Sequence, residues 1–158
     1  MNNINIIQNS LDFIEKNIRT DISVSELANS AGFSIFHYYR IFNKIVGMPV
    51  MQYVTMRKLI NAIYEIRLGK KMVEAALTYG FDTHAGFFKA FKREYDCSLT
   101  EYLKNHKVMK PYRINLKQEQ VMITDKKIKV SANFQKKKGY TLCYLLNTNH
   151  KYSIFQQI

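Results

Sequence analysis

The chain has 158 residues and a formal net charge of +12, and 47% of it is apolar and 13% aromatic. That length fits one or two domains and that apolar content a packed core, which excludes a chain disordered throughout; no apolar run approaches the ~18 residues of a membrane span, and the start Met1-Asn2-Asn3-Ile4-Asn5 lacks a basic, cleavable leader. Cys97 and Cys143 form no C-x-x-C pair, which excludes a disulfide framework and a cysteine zinc site and fits a reducing, cytoplasmic setting, while the charge favours a polyanionic partner over an acidic small molecule.

Taken in chain order, residues 6–19 place Ile7, Leu11, Ile14 and Ile18 on one face and Asp12, Lys16 and Arg19 on the other, which predicts an amphipathic first helix. Ser23-Val24-Ser25-Glu26 reads as a capping box opening a short second helix through Leu27, Ala28 and Ala31, ended at Gly32. Ser34 caps a third helix, Ile35 to Val46, with Tyr38, Ile41, Phe42 and Ile45 inward, and Gly47 ends it. Pro49 suits the first turn of a long helix to about Leu68, with Tyr53, Met56, Leu59, Ile60, Ile63 and Ile66 inward.

The same grammar then returns. Lys71 to Tyr79 is a short helix containing Ala75 and Ala76, Gly80 is a turn, and Thr83 to Tyr95 is a helix with Phe87, Phe91 and Tyr95 as its stripe. An offset of 49 lays Tyr38 on Phe87, Phe42 on Phe91 and Tyr53 on Tyr102, and an offset of 48 lays Gly32-Phe33 on Gly80-Phe81. Two equivalent units follow, each a short helix, a glycine turn and a second helix, the outline of a helix-turn-helix.

Beyond Met109 the pattern becomes strand-like, at 121–124, 127–131 and 140–146. The expected division is therefore an all-helical unit, 1–107, and a basic, β-leaning C-terminal tail, 108–158. The first carries 14 basic and 10 acidic residues, the second 10 and 2. About fifty residues bury little core alone, so the tail is expected to dock, dimerise or stay mobile.

The run Ala31-Gly32-Phe33-Ser34-Ile35-Phe36-His37-Tyr38-Tyr39-Arg40-Ile41-Phe42, with Met56-Arg57-Lys58-Leu59-Ile60-Asn61-Ala62, resembles the first half of the AraC/XylS-type DNA-binding domain. Ala75-Ala76-Leu77-Thr78-Tyr79-Gly80-Phe81-Asp82 and Phe87-Phe88-Lys89-Ala90-Phe91-Lys92 are similar to its second half. The likeness spans roughly residues 6–105. It departs from the family pattern at Asp96, where Gly is usual, at Leu99, where Pro is usual, and at Leu103, where Arg often stands.

The resemblance implies a mainly α fold of two helix-turn-helix units joined by a long helix, and a bacterial transcription regulator that reads a bipartite promoter site in double-stranded DNA. RNA polymerase is an implied partner, and no membrane partner, metal or cofactor is expected. The cytoplasmic, nucleoid-associated location follows from the same reading. Relatives usually carry a ligand-sensing domain, so the tail reads either as an appendage of a stand-alone regulator or as a shortened sensor; no effector is identifiable.

On the third helix the inward stripe leaves Ile35, Phe36, Tyr39 and Arg40 for the groove. The fork of Arg40 matches the O6 and N7 acceptors of guanine, and the family places a base-contacting Arg at this step; a phosphate contact is the alternative. Phe36 and Tyr39 suit thymine methyls or sugars, with local core packing as the other reading. On the sixth helix Thr83, His84, Ala85, Gly86, Phe88 and Lys89 remain. Ala85 and Gly86 offer no side-chain hydrogen bonds, so this half is expected to read shape and phosphates, with Lys89 a phosphate clamp. Ser34 and Thr83 mark helix N-termini that point N–H groups at phosphates, with Lys44, Lys92 and Arg93 flanking. Arg57 reads as structural, paired with an acid on a neighbouring helix.

The rivals differ in kind. An enzyme lacks any G-x-x-x-x-G-K-[ST], H-E-x-x-H or G-x-S-x-G motif, and His37, His84, His106 and His150 are scattered. A non-specific architectural nucleic-acid binder driven by the tail would lose affinity steeply with salt and depend little on sequence.

Overall fold

The computed structural model describes residues 3–116, and within them the chain is all-helical. The helices are α1 (Asn3–Lys16), α2 (Val24–Ser30), α3 (Ile35–Val46), α4 (Val50–Arg67), α5 (Met72–Thr78), α6 (His84–Tyr95) and α7 (Leu99–Asn105). The strands expected at 121–124, 127–131 and 140–146 lie outside the described residues. The first helix begins and ends earlier than its periodicity predicts, and Ile18, past its end, is still buried.

Caps set most of the boundaries. The Ser23 hydroxyl accepts from the Glu26 amide at 3.1 Å, Ser34 from the His37 amide at 3.3 Å, Thr83 from the Gly86 amide at 2.9 Å and Ser98 from the Glu101 amide at 3.2 Å. Each satisfies one of the N–H groups that a helix start leaves without an internal acceptor.

The two units repeat at the level of atoms. After α2, the Phe33 amide donates to Ala28 and the Gly32 amide to Asn29, both at 3.0 Å; after α5, Phe81 donates to Ala76 and Gly80 to Leu77, again at 3.0 Å. This 6→1 closure needs a left-handed residue, and Gly32 (φ 70°) and Gly80 (φ 74°) supply it without a Cβ penalty. Inside the units, Phe42 meets Tyr53 edge-on at 5.8 Å and Phe91 meets Tyr102 edge-on at 5.6 Å. These are the pairs that the offset of 49 superposes. The left-handed caps correspond too: Gly47 (φ 83°) closes α3, and Asp96 (φ 60°) closes α6 where the family has Gly. Aspartate is among the few L-residues that take this conformation at modest cost.

A continuous core runs through both units, from Ile7, Leu11 and Ile14 of α1 to Phe87 and Phe91 of α6 and Leu99 of α7. α4 is its axis, burying Tyr53, Met56, Leu59, Ile60 and Ile63, while Ile66 is only half-buried. In the middle of that apolar face lies Arg57, 1% exposed. Its Nε and Nη2 grip the Glu15 carboxylate of α1, with Nη2 at 2.8 Å from Oε2, and Nη2 also donates to the Tyr112 carbonyl at 3.0 Å. Burial works against the guanidinium charge, but the paired carboxylate outweighs it and raises its pKa. The expected pairing of Arg57 with an acid on a neighbouring helix is thus present.

Removing one partner of a buried pair leaves the other charge uncompensated, at a cost of about 3–5 kcal/mol. Glu15→Ala should therefore lower the unfolding free energy of the full chain by that amount in urea titrations; a loss below 1 kcal/mol, taken here as about the worth of an exposed ion pair, would contradict this reading of the joint.

Candidate nucleic-acid interface

The third helix turns an unusual surface outward. Phe36 is 72% exposed and Ile35 47%, and Tyr39 and Arg40 are exposed beside them. Steps of one and four residues put these four on one side of α3, opposite the buried Tyr38 and Phe42. The Arg40 guanidinium lies 5.9 Å from the Phe36 ring centroid, within cation–π range, so the ring carries the fork. Lys44 is exposed in the last turn. The Ser34 hydroxyl uses its oxygen as a cap and keeps its O–H to donate.

The sixth helix is plainer. His84, Ala85, Gly86, Lys89 and Lys92 are exposed, and Thr83 is exposed while capping the helix. Phe88 is half-buried: it packs edge-on against Phe87 at 5.7 Å and under the His84 ring at 4.4 Å. Its role as seen in the structure is to seat His84, with only part of the ring left outside. The two sets of residues sit on separate helices and are related through α4.

Two further acids fix that relation. Glu94 lies on the buried side of α6 and accepts from Gln52 of α4 at 3.1 Å, with Arg93 donating at 3.3 Å. Glu65, near the end of α4, accepts from Arg19 at 2.8 Å, Lys70 at 2.8 Å and the Tyr79 hydroxyl at 2.7 Å, and Arg19 also lies 5.6 Å over the Tyr79 ring. Burial works against the Glu65 charge, but the hydrogen bonds from Lys70, Tyr79 and Arg19 win and lower its pKa. Gln52 escaped the sequence reading. The signal for its partner was present, since Glu94 continues the spacing of Phe87 and Phe91 at i+7.

Among the described residues no three His, Cys, Asp or Glu side chains converge as a metal site would require, and no helix is long and apolar enough to cross a membrane. The acids present are engaged at joints or dispersed on the surface, and the exposed faces of α3 and α6 carry cations.

Comparison with known proteins bears on the whole arrangement. A family model described as a helix-turn-helix domain matches residues 18–105. The Tn10 TetD protein of Escherichia coli is 33% identical over 101 residues, covering 63% of this chain and 73% of that protein. The transcriptional activator AarP of Providencia stuartii is 35% identical over 88 residues, covering 55% of this chain and 65% of AarP. A solved structure of a Listeria innocua protein of unknown function superposes with a TM-score of 0.54 at 22% identity, covering 64% of this chain and 97% of that one, a likeness of fold.

The Glu65 joint carries a pH signature. A carboxylate whose folded pKa is depressed contributes stability in full above its ordinary value, near 4.5, and loses it as pH falls through the lower folded value. Glu65→Gln should therefore be less stable than the wild type at pH 7, and thermal melts should show the gap closing below pH 4.5; a gap constant with pH would contradict the assignment.

Proposed function

This chain belongs to the AraC/XylS family of helix-turn-helix DNA-binding regulators, and on that premise we propose that it is a sequence-specific transcription regulator whose α3 and α6 enter successive major grooves of one promoter site. The observation that carries this reading is the exposed Ile35, Phe36, Tyr39 and Arg40 face on the second helix of a helix-turn-helix unit. In such units that helix lies in the groove. α4 has 18 residues, about 27 Å at 1.5 Å per residue, and so suits a strut between helices serving grooves ~34 Å apart.

The two halves divide the work. Arg40 takes guanine O6 and N7, with Phe36 bracing the guanidinium and its outer edge, like Ile35 and Tyr39, meeting thymine methyls and sugars. α6 presents Ala85, Gly86, Lys89 and Lys92, which favour close approach and phosphate contact over base hydrogen bonds. Ser34 and Thr83 add hydroxyl donors beside the N–H groups of the two helix starts. The chain acts by binding and not by catalysis, in the cytoplasm, where promoter DNA and RNA polymerase are its partners. Transcriptional activation is named for AarP and is carried here as part of the proposal.

Arg40→Ala should cost about 1–3 kcal/mol on the preferred site and little on random duplex, relaxing the sequence preference of one half-site. Lys89→Ala should weaken binding to all duplexes alike and reduce the salt slope by about one. Equal losses on preferred and random DNA for Arg40→Ala would overturn base reading by α3. A full chain whose affinity falls steeply with salt and is indifferent to sequence would replace this proposal with non-specific binding driven by the basic tail.

A further inference from the structure

After α7 the chain does not leave the molecule. It returns from the second unit across the middle of α4 to α1. The Tyr112 carbonyl takes a hydrogen bond from buried Arg57. Ile114 and Leu116 are 4% and 8% exposed and join the common core, with Val108 partly buried before them. The side-chain amide of Gln8 on α1 then closes on the backbone from both ends. Its Nε2 donates to the Ile114 carbonyl at 2.9 Å, and its Oε1 accepts from the Leu116 amide at 2.8 Å. One primary amide thus satisfies an acceptor and a donor two residues apart, as a neighbouring strand would. Nε2 spends its second hydrogen on Asp12 at 3.0 Å, which fixes the orientation of the amide.

The topology gives this contact a consequence. The chain leaves the first unit through α4, builds α5 to α7, and is fastened again to the first unit at Gln8. The two recognition helices are therefore held by two routes, the α4 strut and this returning segment. We propose that residues 112–116 are a tie that fixes the span between α3 and α6, and that Gln8 is its positioning residue, so that Gln8 sets the half-site spacing the protein accepts without touching DNA. The spacing consequence rests on the two-groove reading above; the mechanical claim does not. A change of one base pair moves a half-site by about 3.4 Å and turns it by roughly a tenth of a helical turn, which a tied pair of helices resists and an untied pair follows.

The test uses the full chain, with Cys97 and Cys143 changed to serine and spin labels on Asn43→Cys in α3 and Glu101→Cys in α7, both exposed positions. Gln8→Leu keeps most of the bulk of the side chain, though it is one bond shorter, while removing both backbone bonds. Double electron–electron resonance should give a narrow distance distribution in the parent and a broadened or displaced one in Gln8→Leu. In binding assays the same substitution should leave the preferred half-site sequences unchanged, while discrimination between the fitted spacing and one base pair more or less falls severalfold. A folded Gln8→Leu with the parent distance distribution would overturn the tie. If Gln8→Leu fails to fold by circular dichroism, Gln8→Asn, one methylene too short to reach, takes its place with the same two expected results. A broadened distance in a protein whose wild type shows no preferred spacing would keep the tie and remove the two-groove reading.

Discussion

One buried guanidinium organises this molecule. Arg57 sits at the centre of the helix that both units share, and it binds α1 through Glu15 and the returning chain through the Tyr112 carbonyl. An ion so deeply buried is tolerable only because its charge is matched and most of its donors are used. The consequence is positional. Hydrophobic contacts leave helices free to slide by fractions of an ångström, whereas a bidentate fork on a carboxylate fixes both distance and plane. α1, α4 and the tie are thereby held in a single arrangement, and α3 and α6 inherit it.

The other inter-helix carboxylate joints follow the same logic. Glu65 gathers Arg19, Lys70 and Tyr79 where α4 gives way to the second unit, and Glu94 meets Gln52 where α6 crosses α4. All three joints involve α4, and in each a carboxylate is withdrawn from the surface. The division of charge suits the proposed function. Arg40, Lys44, Lys89 and Lys92 stay exposed on α3 and α6, where, on that proposal, a phosphate backbone attracts them and counterion release drives binding.

Much of this was legible in the sequence because it is local. Ser23, Ser34 and Thr83 announced helix starts through side-chain bonds that span three residues, and Gly32 and Gly80 announced turns through a conformation that few other residues take. The superposition of Phe42–Tyr53 on Phe91–Tyr102 was already present in the 49-residue offset. What escaped was long-range or carried by backbone. Glu15 is 42 positions from Arg57, and no local pattern names it as the partner. Residues 112–116 do alternate, with Tyr112, Ile114 and Leu116 set against exposed Arg113 and Asn115, but no local pattern names Arg57 and Gln8 as the groups that receive their backbone. α1 reaches back to Asn3, ahead of the expected residue 6, because Asn3-Ile4-Asn5 offers no hydroxyl residue that would mark a start in the sequence. Of the expected interface, the α3 residues are exposed as their periodicity implied, while Phe88 is drawn half inward by Phe87 and His84, neighbours that only the packed helix brings against it.

The central claim is that one chain reads two grooves because α4 and its joints hold two unlike recognition helices at a fixed separation. Selection of bound duplexes from a random pool by the full chain, at near-physiological salt, tests it most directly. The account predicts two enriched blocks centred about 10 base pairs apart, the block read by α3 strongly constrained in sequence and the block read by α6 weakly so. Enrichment of a single block, or of two blocks at freely varying separation, would contradict it.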